Sequence, residues 1–227
     1  MDCAQIPKKR PILFQGAMVR ALLDGSKTQT RRICKSQPYS NGYHFDGHEI
    51  LCHNDYLPPS AMLMDAKGYT TSNMEGWEAE CPYGQPGECL WVRETFLDTQ
   101  GTGIEHRDES GLHHRYAFAA DCAPGSYGDQ ARKGYGLKWK PSIHMPRAAS
   151  RILLEIVSVR VELLQDISEA DAAAEGWQRR PAVSDDPEVH ADAARDWYRD
   201  LWESINGVGS WGANPWVWAV EFKRVTP

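Results

Sequence analysis

Residues 25–32 read Gly25-Ser26-Lys27-Thr28-Gln29-Thr30-Arg31-Arg32. The run before them carries Met18, Val19, Leu22 and Leu23 at helical spacing, which predicts a helix. Gly25 is expected to end that helix, because glycine adopts the left-handed conformation at little cost. Residues 28–34 then predict a strand, on which alternate side chains share a face. The segment therefore places two hydroxyls and a lysine where a helix passes into a strand.

This segment supports two kinds of chemistry. A lysine close to a threonine can serve as the base that activates a nucleophilic hydroxyl. The neighbouring arginines, Arg31 and Arg32, could instead make the segment a phosphate site. A capped helix end with surface charges is the structural alternative. Lys27, Thr28 and Thr30 are candidate site residues under either functional interpretation.

Composition limits the classes of partner. The chain has 227 residues and a net charge of −6, which argues against a protein that wraps duplex DNA or long RNA. Positive charge is concentrated near the start, so a local site for a nucleotide or a short single strand stays compatible. No apolar run has the length of a membrane span, and residues 1–10 lack the apolar core of a signal peptide. We expect a cytoplasmic protein with no membrane partner; the oligomeric state stays open.

The rest of the chain alternates strands with a few helices. The pattern predicts strands over 11–15, 88–96, 116–120, 151–164 and 216–224, and helices over 168–175 and 189–205. Ala194, Trp197, Leu201 and Ile205 are expected on the inner stripe of the last helix. The segments at about 36–86 and 98–140, including the glycine-rich stretch 125–136, predict loops. We therefore expect a single α+β domain over residues 1–227, a small mixed β-barrel with flanking helices and long surface insertions at these two segments.

Cysteine and histidine are the possible metal ligands of this chain. The six cysteines form no Cys-x-x-Cys pair, and the default in a cytoplasmic protein is free thiols. Candidate zinc ligands cluster between residues 44 and 89, namely His44, His48, Cys52, His53, Cys81 and Cys89. Their spacing matches no standard zinc signature. We expect no cofactor, and a structural zinc is the alternative that these residues leave open.

Cations and aromatic side chains also occur together later in the chain. Arg93 ends the strand that contains Trp91, and could hold a phosphate or a base edge. A proline-rich loop then carries Trp139, Lys140, His144 and Arg147. An aromatic ring among cations suits base stacking with phosphate contact. A surface ion pair and a hydrophobic plug are the structural alternatives.

Five separated motifs occur in a recognisable order. They are Gly-x-Lys-Thr-x-Thr-x-Arg at 25–32, Pro-Gly-x-x-Leu-Trp-Val-Arg-Glu at 86–94, the alternating strand at 151–164, Asp-Ile-Ser with an alanine-rich helix to Glu-Gly at 166–176, and the aromatic-rich strand at 216–224. This order resembles the ASCH domain, a β-barrel family related to PUA domains. Residues 81–87, 139–147 and 214–218 are similar to ASCH-domain proteins of phages and prophages.

The resemblance implies a function. PUA-like barrels commonly bind RNA or modified bases, and some small bacterial ASCH proteins hydrolyse the acetyl amide of N4-acetylcytidine. The motif of these amidohydrolases places the catalytic lysine on Lys27, the threonine on Thr30 and the glutamate on Glu175. The resemblance thus implies an amide hydrolase acting on N4-acylated cytosine nucleosides or nucleotides, with Thr28, Arg31, Arg32, Arg93, Trp139, Lys140, His144 and Arg147 as substrate-binding candidates.

Other functions stay open at this point. The same pocket could bind RNA or a modified nucleotide without cleaving it, and another ASCH member resembles a ribonuclease, so a metal-assisted ribonuclease is a third alternative. The expected partner in each case is a nucleoside, a nucleotide or a short single-stranded RNA. Glu175 lies at the end of a helix, where a carboxylate is electrostatically disfavoured. A contact with Lys27 or with an arginine would explain its position.

Overall fold

The computed structural model describes residues 8–35, 37, 49–52, 60–64, 78–104, 106–107, 113–178 and 187–225. The strands are β1 (Lys9–Leu13), β2 (Gln29–Ile33), β3 (Glu49–Cys52), β4 (Ser60–Met64), β5 (Glu78–Glu80), β6 (Cys89–Arg93), β7 (Phe96–Asp98), β8 (His106–Arg107), β9 (His113–His114), β10 (Tyr116–Phe118), β11 (Leu153–Leu163) and β12 (Trp216–Val225). The helices are α1 (Gly16–Asp24), α2 (Tyr127–Gly134), α3 (Glu169–Ala174) and α4 (Pro187–Asn206). Short 3-10 helices cover Ala119–Asp121, Ser142–His144, Arg147–Ala149 and Leu164–Asp166.

The largest sheet has five strands in the order β1-β6-β11-β12-β2. β12 and β2 pair antiparallel, with Val220 opposite Thr30. β1 and β6 run parallel, because Cys89 N–H donates to the Lys8 carbonyl and Phe14 N–H donates to the Arg93 carbonyl. The fold is therefore α+β with a mixed sheet. Among the described residues this sheet is not closed into a barrel.

The chain divides into two compact units. Unit 1 comprises Met1–Lys8, Ser26–Cys89 and Glu155–Lys223, and unit 2 comprises Lys9–Gly25, Leu90–Leu154 and Arg224–Pro227. The core of unit 1 includes Leu164, Ile167, Ala172, Ala194, Tyr198, Trp202 and Val217. A smaller cluster in unit 2 consists of Phe96, Met145 and Ala149. The expectation of one domain over the whole chain stays a prediction.

Local sequence signals explain where the helices end. Gly25 follows α1 with a φ of 83°, which is the left-handed conformation expected of it. α3 begins with a capping box, in which the Ser168 hydroxyl accepts from the Asp171 N–H and the Asp171 carboxylate accepts from the Ser168 N–H. Gly176, with a φ of 110°, ends the same helix just after Glu175. These signals bring Lys27 and Glu175 to the start of β2 and the end of α3.

Three expectations from the sequence were wrong. Residues 36–86 contain the antiparallel sheet β3-β4-β5 rather than only loop. The stretch 125–136 contains α2, which Ser126 caps by accepting from the Asp129 N–H. The third was wrong only in part: in α4 the predicted Ala194 is buried and the predicted Trp197 and Leu201 pack half-buried against the core, but the buried aromatic positions are Tyr198 and Trp202.

The described helices are all too short or too polar to cross a membrane.

Candidate functional site

Lys27 and Glu175 form a buried ion pair in unit 1. The Lys27 Nζ contacts the Glu175 Oε2 and also donates to the Glu175 backbone carbonyl over 3.1 Å. The exposed fractions of the two side chains are 0% and 3%. Burial removes the water that would solvate each charge, so these groups are stable at this depth only with hydrogen-bonded partners.

Backbone geometry brings this pair together. Glu175 is the C-cap residue of α3, and Thr28 N–H donates to the Ala174 carbonyl over 2.8 Å. This bond holds the segment before β2 against the end of the helix. Lys27 thereby reaches a carbonyl that the helix leaves without an internal partner. A carboxylate is electrostatically disfavoured at the end of a helix, and the positive charge of Lys27 compensates that of Glu175 there.

The second carboxylate oxygen of Glu175 is also held. Its Oε1 accepts from the Arg31 N–H over 2.6 Å and from the Tyr198 hydroxyl over 3.4 Å. The Arg31 guanidinium lies 3.8 Å from the same oxygen and 5.8 Å from the centre of the Tyr198 ring. Both oxygens therefore have donors, and the orientation of the carboxylate is fixed.

Burial biases the protonation of the groups around Glu175. It lowers the pKa of the Lys27 ammonium below the ordinary 10.5, the Glu175 charge acts in the opposite direction, and Arg32 and Arg31 lower it further. Burial also raises the pKa of the Tyr198 phenol well above 10.0, and the Glu175 charge adds to this. A lysine that loses its proton more readily than usual is what a general base requires. Perturbed groups of this kind mark candidate functional sites.

Arg31 carries a second, larger ion-pair network in unit 1. Its Nε donates to the Glu162 Oε1 over 2.7 Å, and its guanidinium lies 3.2 Å from the Asp171 Oδ2. Arg160 binds the same two carboxylates, over 2.8 Å to Glu162 and 2.6 Å to Asp171. The Arg31 side chain is 0% exposed, so its charge depends on these carboxylates.

Gln29 and Glu221 extend this network along the sheet. Gln29 Nε2 donates to Asp171 Oδ1 over 3.0 Å and to Glu221 Oε1 over 3.2 Å, and Arg160 also pairs with Glu221. Burial would raise the pKa of Asp171, but hydrogen bonds from Gln29 and Ser168 and the charge of Arg31 outweigh it and lower the pKa to about 2. The network keeps β2, β11, β12 and α3 in register around the Lys27–Glu175 pair.

Thr30 follows Lys27 closely in the sequence. It is 2% exposed and stands opposite Val220 in β12. Strand alternation places it on the face of β2 opposite to that of Arg31, whose N–H holds Glu175. Thr28 is exposed and Arg32 is half-buried. Lys27, Thr30 and Glu175 are thus all buried in one region of unit 1.

The other five predicted substrate-binding residues belong to unit 2. Arg93 and Arg147 lie over the ring of Trp91, with 5.5 Å and 5.8 Å between the guanidinium carbons and the ring centre. Arg93 also donates to the Ile143 carbonyl. Within the described parts of the chain, neither arginine has a carboxylate partner.

Trp139, Lys140 and His144 complete this set. Trp139 is half-buried with the Arg132 guanidinium 5.3 Å from its ring centre. The Lys140 backbone pairs with Phe96 over 2.8 Å and 3.1 Å, and its side chain is exposed, as is that of His144. These residues are fixed by backbone contacts rather than by burial.

No site for a metal ion is present in the part of the chain that the structure describes. Cys34, Cys81 and Cys89 are buried, and Cys122 is half-buried. His44, His48 and His53 lie outside the described residues, and so does the side chain of Cys52. The zinc alternative therefore falls mostly on residues that are not described.

Comparisons of the chain with protein-family models, with curated proteins and with solved structures give no match.

Several groups in this region were missed by sequence reasoning. Tyr198 was not singled out, because the helical stripe was placed one position away. Arg160 and Glu162 lie on the polar face of β11, where alternation alone predicts exposure, yet their side chains are only 31% and 15% exposed. A signal for this network was present in the sequence, because charged or amide side chains recur at alternate strand positions. They are Gln29 and Arg31 in β2, Arg160 and Glu162 in β11, and Glu221 in β12.

Proposed function

We propose that this protein is an amide hydrolase for N4-acylated cytosine nucleosides or nucleotides, with Lys27, Thr30 and Glu175 as catalytic residues. The observation that carries the proposal is the buried Lys27–Glu175 pair, in which burial lowers the pKa of the lysine, and Thr30 is buried in the same unit. The order of motifs shared with the ASCH domain supports it. On this proposal the mixed sheet is that of a PUA-like barrel.

Each residue has a distinct role in the proposed reaction. Neutral Lys27 takes the proton of the Thr30 hydroxyl, whose oxygen attacks the carbonyl carbon of the N4-acyl amide. The C–N bond breaks, the exocyclic amine of cytosine leaves with a proton from the Lys27–Glu175 pair, and an acyl ester remains on Thr30. Water then hydrolyses the ester and releases the carboxylic acid. Glu175 orients Lys27 and shares its proton.

The burial of the proposed catalytic residues limits the access of a substrate to them. Lys27, Thr30 and Glu175 are 2%, 2% and 4% exposed. A substrate therefore reaches these groups only when neighbouring side chains move. We expect slow turnover unless binding of the substrate itself drives that movement.

The test is hydrolysis of N4-acetylcytidine, followed by chromatographic detection of cytidine. Wild type should release cytidine, and Lys27→Met and Thr30→Val should lower kcat by about 10²-fold to about 10⁴-fold, as expected when a general base or its nucleophile is removed. Thr30→Ser keeps the hydroxyl and should keep measurable turnover. Lys223→Met is the matched control, because Lys223 forms a largely exposed pair with Glu155 over 2.9 Å.

Two results would remove this proposal. If the wild-type protein releases no cytidine, it is not this hydrolase. If Thr30→Val turns over the substrate as fast as wild type does, Thr30 is not the nucleophile. Circular dichroism of each variant under the assay conditions separates loss of activity from loss of fold.

We propose binding of single-stranded RNA as the second candidate function. It is favoured by Arg93 and Arg147, which lie around Trp91 with no carboxylate partner within the described residues. Such cations contact phosphates, and each phosphate contact adds about 0.7 to the salt-dependence slope of single-strand binding. Arg93→Ala and Arg147→Ala should each reduce that slope for a fluorescent oligoribonucleotide. The control is Arg199→Ala, since Arg199 already pairs with Asp196 over 2.9 Å.

A further inference from the structure

A pocket of about 1000 Å³ lies in unit 2, and none of the residues that line it is proposed as catalytic. Its floor includes Leu97 and Thr99 from β7 and its continuation, and Tyr116 and Phe118 from β10. These two strands pair antiparallel, with Phe118 opposite Phe96. The volume is at the upper end of small-molecule sites, so several fused rings can fit.

One wall of the pocket is a face of α2. Gly128, Ala131, Arg132 and Tyr135 recur at helical spacing along it, and Tyr127 stands at the start of the helix. Gly128 allows the close approach of the helix, because a Cβ there would lie 3.1 Å from the Cys122 Sγ. Trp139 adds another aromatic ring, so that the lining has five together with Tyr116, Phe118, Tyr127 and Tyr135.

The aromatic rings of the lining are unusually accessible. Tyr127 is 89% exposed and Tyr135 is 61% exposed, although most large apolar and aromatic side chains of the described residues are buried. Water-exposed rings that converge on one concavity provide flat surfaces on which a planar molecule can stack. The lining therefore favours a planar ligand.

The charges of the pocket argue against an anionic ligand. Arg132 is paired with Asp129 over 2.8 Å, and Arg151 binds Glu94 over 2.9 Å and Asp121 over 2.7 Å. Both guanidinium groups are thus already neutralised. Arg151 has two carboxylate partners, Glu94 and Asp121, so this group of three has a net negative charge that would repel a phosphate.

We propose that this pocket binds an uncharged, planar heteroaromatic molecule of two or three fused rings. The ligand stacks on Tyr127, Tyr135 and Trp139 and lies over the apolar floor of β7 and β10. None of the residues proposed as catalytic lines this pocket, and its test measures ligand binding rather than turnover.

Riboflavin is a suitable probe, because its uncharged tricyclic ring loses fluorescence when it stacks on tyrosine or tryptophan. Titration of the full chain should quench the flavin saturably. Flavin mononucleotide carries the same ring with a phosphate and should bind about tenfold more weakly or worse, which corresponds to the loss of roughly one good contact. Equal or tighter binding of the phosphorylated probe would overturn the assignment of an uncharged ligand.

Variants locate the binding site. Tyr127→Ala and Trp139→Ala should each weaken riboflavin binding by about 5-fold to about 100-fold, the range for loss of one stacking ring. Tyr127→Phe keeps the ring and should bind as wild type does, and Val208→Ala is a control at a side chain that is 98% exposed in unit 1. Tyr127 is so exposed that its truncation leaves the fold intact. Absence of saturable quenching, or quenching that both alanine variants leave unchanged, would overturn the proposal.

Discussion

Removing one partner of the Lys27–Glu175 pair should destabilise the protein more than removing both. Loss of one partner leaves an uncompensated buried charge, which typically lowers the free energy of unfolding by about 3–5 kcal/mol. Glu175→Gln should have the larger effect. Lys27→Met leaves the carboxylate with donors from Arg31 N–H at 2.6 Å and from Tyr198 at 3.4 Å.

The double variant Lys27→Met/Glu175→Gln contains neither buried charge. Replacing a whole buried pair by apolar or neutral groups is often close to neutral, so we expect a loss of no more than about 2 kcal/mol. The coupling energy between the two positions should then be about 3 kcal/mol or more, at the upper end for residues in direct contact.

Urea denaturation followed by tryptophan fluorescence measures these differences. A loss of 3–5 kcal/mol lowers the urea midpoint by about 1–2 M, since the slope for a chain of this size is near the upper end of about 1–3 kcal/mol per molar urea. The exposed pair Lys223–Glu155 provides the control, and breaking it should change the free energy of unfolding by less than about 1 kcal/mol. Additive single effects, each below about 1 kcal/mol, would refute the buried pair.

Three further predictions concern protonation and backbone conformation. The free energy of unfolding should rise as the pH increases toward 10.5, because burial lowers the pKa of Lys27 in the folded protein below its ordinary 10.5; urea melts of Lys27→Met should lack this rise. The pKa of Asp171 is about 2 in the folded protein, against the ordinary 3.8, so its charge stabilises the fold above pH 3.8. The free energy of unfolding should fall as the pH drops from 3.8 to about 2, and it should fall less in Asp171→Asn. Gly25→Ala should lower the free energy of unfolding by about 1 kcal/mol, because the φ of Gly25 is +83°. Gly134 has no positive φ and there is open space at its Cβ position, so Gly134→Ala should raise the free energy of unfolding by about 0.4–1 kcal/mol.

Much of the fold could be predicted from local signals. Gly25, the Ser168–Asp171 capping box and the alternating strand β11 each follow from short-range physics, and each is found where the sequence indicates it. The helix α2 was missed because its glycine content suggests a loop, whereas the cap at Ser126 and the pairing of Asp129 with Arg132 and Lys133 stabilise it. Such compensating contacts are not visible in composition.

The candidate site was predictable only in part. The likeness to a known motif order pointed to Lys27 and Glu175, which are 148 residues apart in the chain and in contact in the structure. The network around Arg31 needed the strand order, since β2, β11 and β12 are distant in sequence and their polar residues meet only in the sheet. The one-position error in α4 hid Tyr198, because helical periodicity fixes a face to within about one residue.

The hydrogen bonds that the Glu175 carboxylate accepts connect the stability of the fold with the proposed activity. Its two oxygens already have donors in Lys27, Arg31 N–H and Tyr198, and these contacts hold the Lys27–Glu175 pair in one geometry. Every contact that fixes the pair therefore also opposes its use as a base. If the pair is catalytic, a substitution that loosens it without removing either charge, such as Tyr198→Phe, should lower the free energy of unfolding and raise turnover together. If the pair only stabilises the fold, the same substitution should lower stability with no change in turnover.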